Sequence, residues 1–435
     1  MRFRRMFSTV AVLAGLIAAH AFAPSQASAQ NPPLTVGDQP ASTLLLPYFE
    51  VDLKNPGGAN TFFTVNNASA TATLVHVTLW SEMHVPVYAF DVYLTGYDVQ
   101  PISVRDILNG VLPRTASAGQ DPGNLITPKG PLSQDINFAS CAGSLPIPTP
   151  TAATVAHLKA AFTGVASPVN GQCATRSNST PTIAKGYITM DVTNACSSLF
   201  PGEPGYFISG GGGIAGNRNQ IWGDYVQANH LSGLDGGDGS PLVHIIANAT
   251  DPELNTPGQY TFYGRVNGFT AADNREPLTT TFMTRYASVT TNGFQPTNLT
   301  VWRDNKGPQG FFACGTTPAW YPLKQKQIIF FDEQERPVKL TTLPLSDTPT
   351  PFPAGTQRVE VGGSTLPSAF ASGIVYLNLM TTVTGNTNPP EDPTGEWTQA
   401  WVTVHQKGIG RYSIGYPAAL LDSAKSGTPI VLPVP

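Results

Sequence analysis

TLVHVTLW (Thr73–Trp80), followed after a short turn by VPVYAFDVYL (Val85–Leu94), is the stretch that decides the fold class. In the first segment Val75, Val77 and Leu79 point one way. Leu74, His76, Thr78 and Trp80 point the other, the period of two that a strand requires. The second segment is apolar on both faces, as a buried central strand is. Outward from this pair, STLLLPYFEVDL (Ser42–Leu53) and NTFFTVNNASA (Asn60–Ala70) read as further strands separated by turn residues. Val, Thr, Phe and Tyr dominate them, side chains that suit a pleated, half-buried surface. From residue 184 onward strands return: KGYITMDVTNA, NQIWGDYVQAN, PLVHIIANA, QYTFYGRVNG, TNLTVWRDN, QIIFFDEQ with RPVKLTT, SGIVYLNLMTTV, QAWVTVHQ and GRYSIGY. FFDEQERPVKL reads as a hairpin whose turn carries the charges, and PAALLDSAK as one helical turn started by Pro417. No repeat of fixed period is present, which argues against solenoids and propellers. The class expected is all-β: an antiparallel β-sandwich-like fold with long Gly/Pro-rich loops and one or two short helices.

Residues 113–183 differ, being rich in Pro, Ser, Thr, Gly and Ala. They read as an insertion stapled by disulfide, with one helix in it: Thr151 as cap, Val155, Leu158 and Phe162 as the apolar stripe, Gly164 as the stop. The first 29 residues read as a signal peptide. Arg2, Arg4 and Arg5 precede a short apolar run, and Ala27-Ser28-Ala29 offers the small-x-small pattern of a cleavage site. The apolar run is too short to span a bilayer, which takes about 20 residues. The expected organisation is therefore a signal peptide (1–29), N-terminal β-sandwich strands (30–112), the insertion (113–183) and a C-terminal β region (184–435).

Charged residues make up only 12% of the 435, while Gly and Pro number 42 and 40, a balance typical of extracellular β-proteins with long turns. The net charge of −4, without a Lys/Arg cluster after residue 29, argues against nucleic acid as a partner. Cys141, Cys173, Cys196 and Cys314 are expected to form two disulfides in an exported chain. Of the three pairings, Cys141–Cys173 with Cys196–Cys314 is the expected one. No C-x-x-C pair invites a zinc-thiolate site.

LLLPYFEVDL, VNNASATATLVHVTLW, FDVYLTGYDVQ and the C-terminal AWVTVHQKGIGRYSIGYPAALLD resemble a family of secreted bacterial proteins of no assigned function. The resemblance implies export and a shared fold in which N- and C-terminal strands meet. It carries over no functional residue.

The candidate sites are weak signals. SGGGGIAGN (Ser209–Asn217) is glycine-rich like a phosphate loop, but a strand and not a helix is expected after it. Asp224, Asp235 and Asp238 in an Asp-Gly-rich stretch are the candidate calcium ligands, and Asn386, Asn388, Glu391, Asp392 and Glu396 raise the same question. No other cofactor is expected. His76, Glu82 and His84 could converge on one rim as a metal site. Trp397, Gln399, Trp401 and His405 share one side of a strand, an aromatic-plus-amide face of the kind that binds carbohydrate, although tryptophans more often pack in cores. Asp332, Glu333 and Glu335 read as a charged turn. No G-x-S-x-G, H-E-x-x-H or S-x-x-K signature is present. The expectation is thus a non-enzymatic exported β-protein with a binding or structural role in the periplasm or at the cell surface. A protein or glycan is the expected partner. A secreted hydrolase acting on carbohydrate or ester bonds is the alternative.

Overall fold

Alternating strands of the expected kind build the N-terminal part: β1 (Thr43–Asp52), β2 (Asn60–Asn67), β3 (Thr73–Ser81), β4 (Pro86–Leu94) and β5 (Val99–Ser103). The computed structural model describes residues 39–113, 150–176, 180–229, 234–290, 293–304, 310–318, 321–339, 351–380, 398–408 and 413–421. Two helices follow, α1 (Val104–Leu108) and α2 (Ala152–Thr163). Next come β6 (Ile183–Thr193), β7 (Ile221–Trp222), β8 (Asp224–Asn229), β9 (Leu234–Pro241) and β10 (Val243–Ile245). The remainder is β11 (Thr281–Ala287), β12 (Asn298–Arg303), β13 (Gln327–Phe331), β14 (Pro337–Lys339), β15 (Thr356–Glu360), β16 (Ser372–Asn378), β17 (Ala400–Lys407), β18 (Ser413–Pro417) and β19 (Ala419–Leu420).

The strands form antiparallel sheets that pair into two sandwiches. In the first, a sheet of order β10-β1-β6-β3-β4 faces a sheet of order β5-β2-β8-β9. Leu46, Val75, Val77, Phe90 and Met190 from one side share a core with Phe63, Val65, Ile102 and Tyr225 from the other. In the second, β15-β12-β17-β18 faces β14-β13-β16-β11-β19. Its core joins Leu299, Val301, Val402 and Val404 to Phe282, Ile328, Phe330 and Leu377. Strands β6 to β10 therefore complete the N-terminal sheets, and the second sandwich starts only at β11.

β3 is buried along its whole length. Val75, Val77 and Leu79 enter the first core as the alternation predicts. On the opposite face Trp80 stacks on Tyr187 at 5.7 Å and donates to Thr189 Oγ1 at 2.9 Å. β6, beside β3, tolerates no side chain at Gly186: an added Cβ would press on the Trp80 carbonyl oxygen and lie 2.8 Å from Phe49 Cζ. Gly186→Ala is expected to cost about 1–3 kcal/mol by overpacking, measured by chemical denaturation. A loss within experimental error would show that the strands separate freely there.

The helix expected in the insertion forms as read. Thr151 Oγ1 accepts from the Thr154 N–H at 3.1 Å, and Gly164 closes the helix at φ 74°. Leu158, Ala161 and Phe162 enter the first core, so this part of the insertion is a core element. The β13–β14 hairpin also forms, with Asp332 Oδ1 accepting from the Gln334 and Arg336 N–H groups of its charged turn.

Three expectations are corrected. Cys173 pairs with Cys314, across a separation of 141 residues, in place of Cys141–Cys173 and Cys196–Cys314. Backbone bonds between Cys173 and Phe312 align the two segments beside that bridge. Cys196 is also disulfide-bonded, and Cys141 lies outside the described residues. QYTFYGRVNG (259–268) is a run of turns, not a strand. Gly264 N–H bonds to Thr261 O at 3.1 Å and Asn267 N–H to Tyr263 O at 2.9 Å, so the local bonds win over a ladder. The described part of PAALLDSAK, 417–421, supplies a strand at Ala419–Leu420 in place of a helical turn, because β11 offers an edge there.

Candidate functional site

The strand period places a polar cleft of about 340 Å³ where the two sandwiches meet. From β1 come Tyr48 and Glu50, two residues apart on one face; from β2 comes Asn60; from β8 and β9 come Gln227, Asn229 and Asp238. The second sandwich contributes Asn298, the pair Arg358 and Glu360, the pair His405 and Lys407, and Ser413. Register explains the arrangement on that side. Asn298 on β12 stands opposite Glu360 on β15 and opposite His405 on β17, so the three form one row across the sheet. The next position in the row is Gly415, opposite His405. A Cβ there would lie 2.8 Å from Gly239 O, so glycine lets β18 approach β9.

Asp238 organises the inner wall. Its carboxylate accepts from Arg358 Nη2 at 2.8 Å and from the Ser413 hydroxyl, with His405 Nδ1 3.6 Å away. Arg358 Nη1 donates to Gln227 Oε1 at 3.1 Å, and Gln227 in turn donates to the Tyr48 carbonyl at 3.0 Å. His405 Nε2 lies 2.9 Å from Thr300 Oγ1, whereas its buried Nδ1 has no hydrogen-bond partner among the described residues. Burial, with the Arg358 charge adding to it, holds the His405 imidazole well below its ordinary pKa and hence neutral. Tyr48 donates to Glu50 Oε2 at 2.5 Å; burial first and the Glu50 charge second keep it a phenol. Ser413 and His405 approach the same carboxylate side by side. A hydrolytic triad needs the imidazole between the two, so these residues do not form one.

The residues singled out in the sequence divide sharply. His405 and Asp238, read as members of separate sites, meet in the cleft. Gln399 (1% exposed) and Trp401 (2% exposed) are core residues. Gln399 Oε1 accepts from the Leu278 N–H at 2.8 Å, and Trp401 Nε1 donates to Thr403 Oγ1 at 3.2 Å. Trp397 lies outside the described residues. The aromatic face on β17 exists, but the first sandwich packs over its neighbours: Trp302, paired with Trp401, meets Tyr187 at 6.0 Å. Of its described members, His405 lines the cleft. The signal for this was the shared alternation of TNLTVWRDN and QAWVTVHQ, which sets Asn298 level with His405 once the strands are paired.

The calcium set is not assembled by its described members. Asp224 pairs with Pro241 and Asp238 with Gln227, an odd offset along the ladder that puts the two carboxylates on opposite faces. Asp224 accepts from Thr64 Oγ1 at 2.7 Å on the exposed side. The Asp235 side chain and the 386–396 loop lie outside the described residues. His76, Glu82 and His84 do not converge either. His76 Nδ1 lies 2.7 Å from Asp91 Oδ1, both fully buried. Glu82 pairs with Arg176 at 3.2 Å, and His84 Nδ1 lies 2.9 Å from the Tyr321 hydroxyl. Among the described residues no group of three or more His, Cys, Asp or Glu is placed to hold a metal ion. Ser209–Asn217 forms turns leading to β7, so no helix N-terminus converges on it.

His84 carries a pH consequence. Burial lowers its pKa from the usual 6.5 to about 3. The unfolded chain takes up a proton near pH 6.5 that the folded chain refuses, so this stabilisation is present above that pH. It is lost as pH falls toward 3. Asp273, raised to about 6 by burial, acts in the opposite sense, stabilising most below the unfolded value and least above pH 6. His84→Asn is therefore expected to flatten the acid-side decline of the melting temperature between pH 6.5 and 3. Parallel curves for the variant and the parent would refute this assignment.

No family model, no curated protein and no solved structure matches the chain. Among the described residues no helix is long and apolar enough to cross a membrane. A disulfide such as Cys173–Cys314 persists in an oxidising compartment.

Proposed function

We propose that this chain is an exported, non-enzymatic binding protein of the periplasm or cell surface whose cleft takes a hydroxyl-rich ligand of the glycan class. The observation that carries the reading is the cleft lining. Asn60, Gln227, Asn229, Gln295 and Asn298 line it beside Glu50, Arg358, Glu360 and Lys407, with only Ala59, Ala228 and Pro296 as small apolar contacts. Side-chain amides both donate and accept, which matches sugar hydroxyls, and charged groups at the rim strengthen such bonds. Arg358 is held by Asp238 and Gln227, so the wall is set before a ligand arrives.

The test is a thermal melt of residues 30–435 against neutral and acidic oligosaccharides. A ligand at a hundred times its dissociation constant stabilises by about 2.7 kcal/mol. Asn298→Ala is expected to weaken that ligand about tenfold without lowering the melting temperature of the free protein. Absence of any shift across the panel would overturn the glycan reading.

One observation favours a second reading, a secreted hydrolase acting on carbohydrate or ester bonds: Glu50 and Glu360 line the same cleft, and glycoside hydrolysis uses two carboxylates. New reducing ends that disappear in both Glu50→Gln and Glu360→Gln would select it.

A further inference from the structure

A second polar hollow, of about 380 Å³, borders the cleft and shares Tyr48, Arg358 and Glu360 with it. Two features of the strand pairing make the two hollows neighbours on one path. First, Glu50 lines the cleft and Lys185 lines the second hollow, and these two residues are direct cross-strand partners on β1 and β6. Partners of this kind have Cα atoms about 5 Å apart. Second, β15 is the edge strand of its sheet. Arg358 and Glu360 line both hollows, whereas Gln357 and Val359, on the other side of the strand, line the second alone. The path therefore runs from the cleft over an open strand edge.

The second hollow is as polar as the first, with Ser364 and Thr365 hydroxyls beside Lys185 and the Arg176–Glu82 ion pair. Cations prevail slightly in the second hollow and anions slightly in the first, so the path as a whole carries little net charge. That balance suits an uncharged chain better than a polyanion or a polycation. Each hollow alone has the volume of a small-molecule site.

We propose that the two hollows are adjoining subsites for one linear, uncharged, hydroxyl-rich chain, an oligosaccharide that crosses the β15 edge between Arg358 and Glu360. This rests on the glycan reading of the cleft and adds the length and charge of the ligand.

The experiment is calorimetric titration of the mature, oxidised protein with cello- and chito-oligosaccharides of one to six sugar units and with oligogalacturonates of the same lengths. Affinity for the neutral series is expected to rise at least about tenfold from disaccharide to tetrasaccharide, and the uronate series is expected to bind more weakly. Lys185→Ala and the exposed Ser364→Ala are each expected to bring tetrasaccharide affinity down toward that of the disaccharide and to leave the disaccharide unchanged. Asn298→Ala, in the cleft alone, is expected to weaken both lengths. A melt of each variant confirms folding. Binding that does not depend on length, or tetrasaccharide affinity unmoved by both Lys185→Ala and Ser364→Ala, would overturn the second subsite while leaving the cleft intact. Tighter uronate binding would overturn the charge assignment. Absence of binding by every series would overturn the glycan reading itself.

Discussion

Asp191→Ala is expected to destabilise the fold by about 3–5 kcal/mol, the range for breaking one partner out of a buried ion pair. Asp191 sits on β6 between β1 and β3, with no solvent exposure. Its carboxylate accepts hydrogen bonds from Thr43 Oγ1, from the Tyr206 hydroxyl at 2.7 Å and from the Tyr263 hydroxyl at 3.0 Å. Arg275 Nε lies 3.8 Å away, and the guanidinium also covers the Phe207 ring at 5.2 Å. Removing the carboxylate leaves three buried hydroxyls without their acceptor, each an unsatisfied group in low dielectric, and takes a counter-charge from Arg275, whose guanidinium keeps its bonds to Thr43 Oγ1 and to the Asp273 and Gly216 carbonyls. The loops that carry Tyr206 and Tyr263 are irregular, and this network fastens them to the first sheet. The measurement is urea unfolding, where the midpoint is expected to fall with little change in slope. Arg275→Ala should cost a similar amount. The double variant should cost clearly less than the sum, since neither ion is then left alone. A loss below about 1 kcal/mol for Asp191→Ala would mean that the cluster contributes little beyond what water supplies to the unfolded chain.

The second large effect is expected from the Cys173–Cys314 bridge. The two positions are 141 residues apart, and both lie in segments with few strand bonds of their own. In the chain-entropy description a loop of this length contributes about 5 kcal/mol. The double variant Cys173→Ser with Cys314→Ser is therefore expected to lose up to about 5 kcal/mol, measured against the oxidised parent in the same denaturant series. Peptide mapping without reductant should recover a fragment that links the Cys173 and Cys314 peptides. Recovery of Cys141–Cys173 or of Cys196–Cys314 would contradict the fold in this region, because the strand-like bonds between Cys173 and Phe312 require the first arrangement.

Several parts of this molecule were legible before any contact was known. α2 is fully encoded between Thr151 and Gly164, since cap, stripe and stop are separated by only a few residues. The β13–β14 hairpin is equally local, its turn held by the Asp332 carboxylate. Reading failed where local turn bonds compete with a ladder for the same backbone groups. The 259–268 segment alternates well enough for a strand but bends into turns. Asp-Gly runs likewise look alike in a loop and in an edge strand; β9 is the latter, and its register sets Asp224 and Asp238 on opposite faces.

The all-β class and most strand positions follow from period-two alternation, a property of neighbouring residues that survives without knowing what each face meets. The expectation of export rests likewise on a short segment, residues 1–29. The tertiary structure alone decided which face is core, which is interface and which is site. Trp401 and His405 lie on one side of one strand and are equally buried, yet the second lines the cleft and the first packs in the interior. The difference comes from where the first sandwich stops covering the second. Asp238 and His405 are far apart in the chain and meet only because β9 and β18 approach closely at Gly415. Such meetings depend on burial and register summed over whole sheets, and no window of sequence contains that sum.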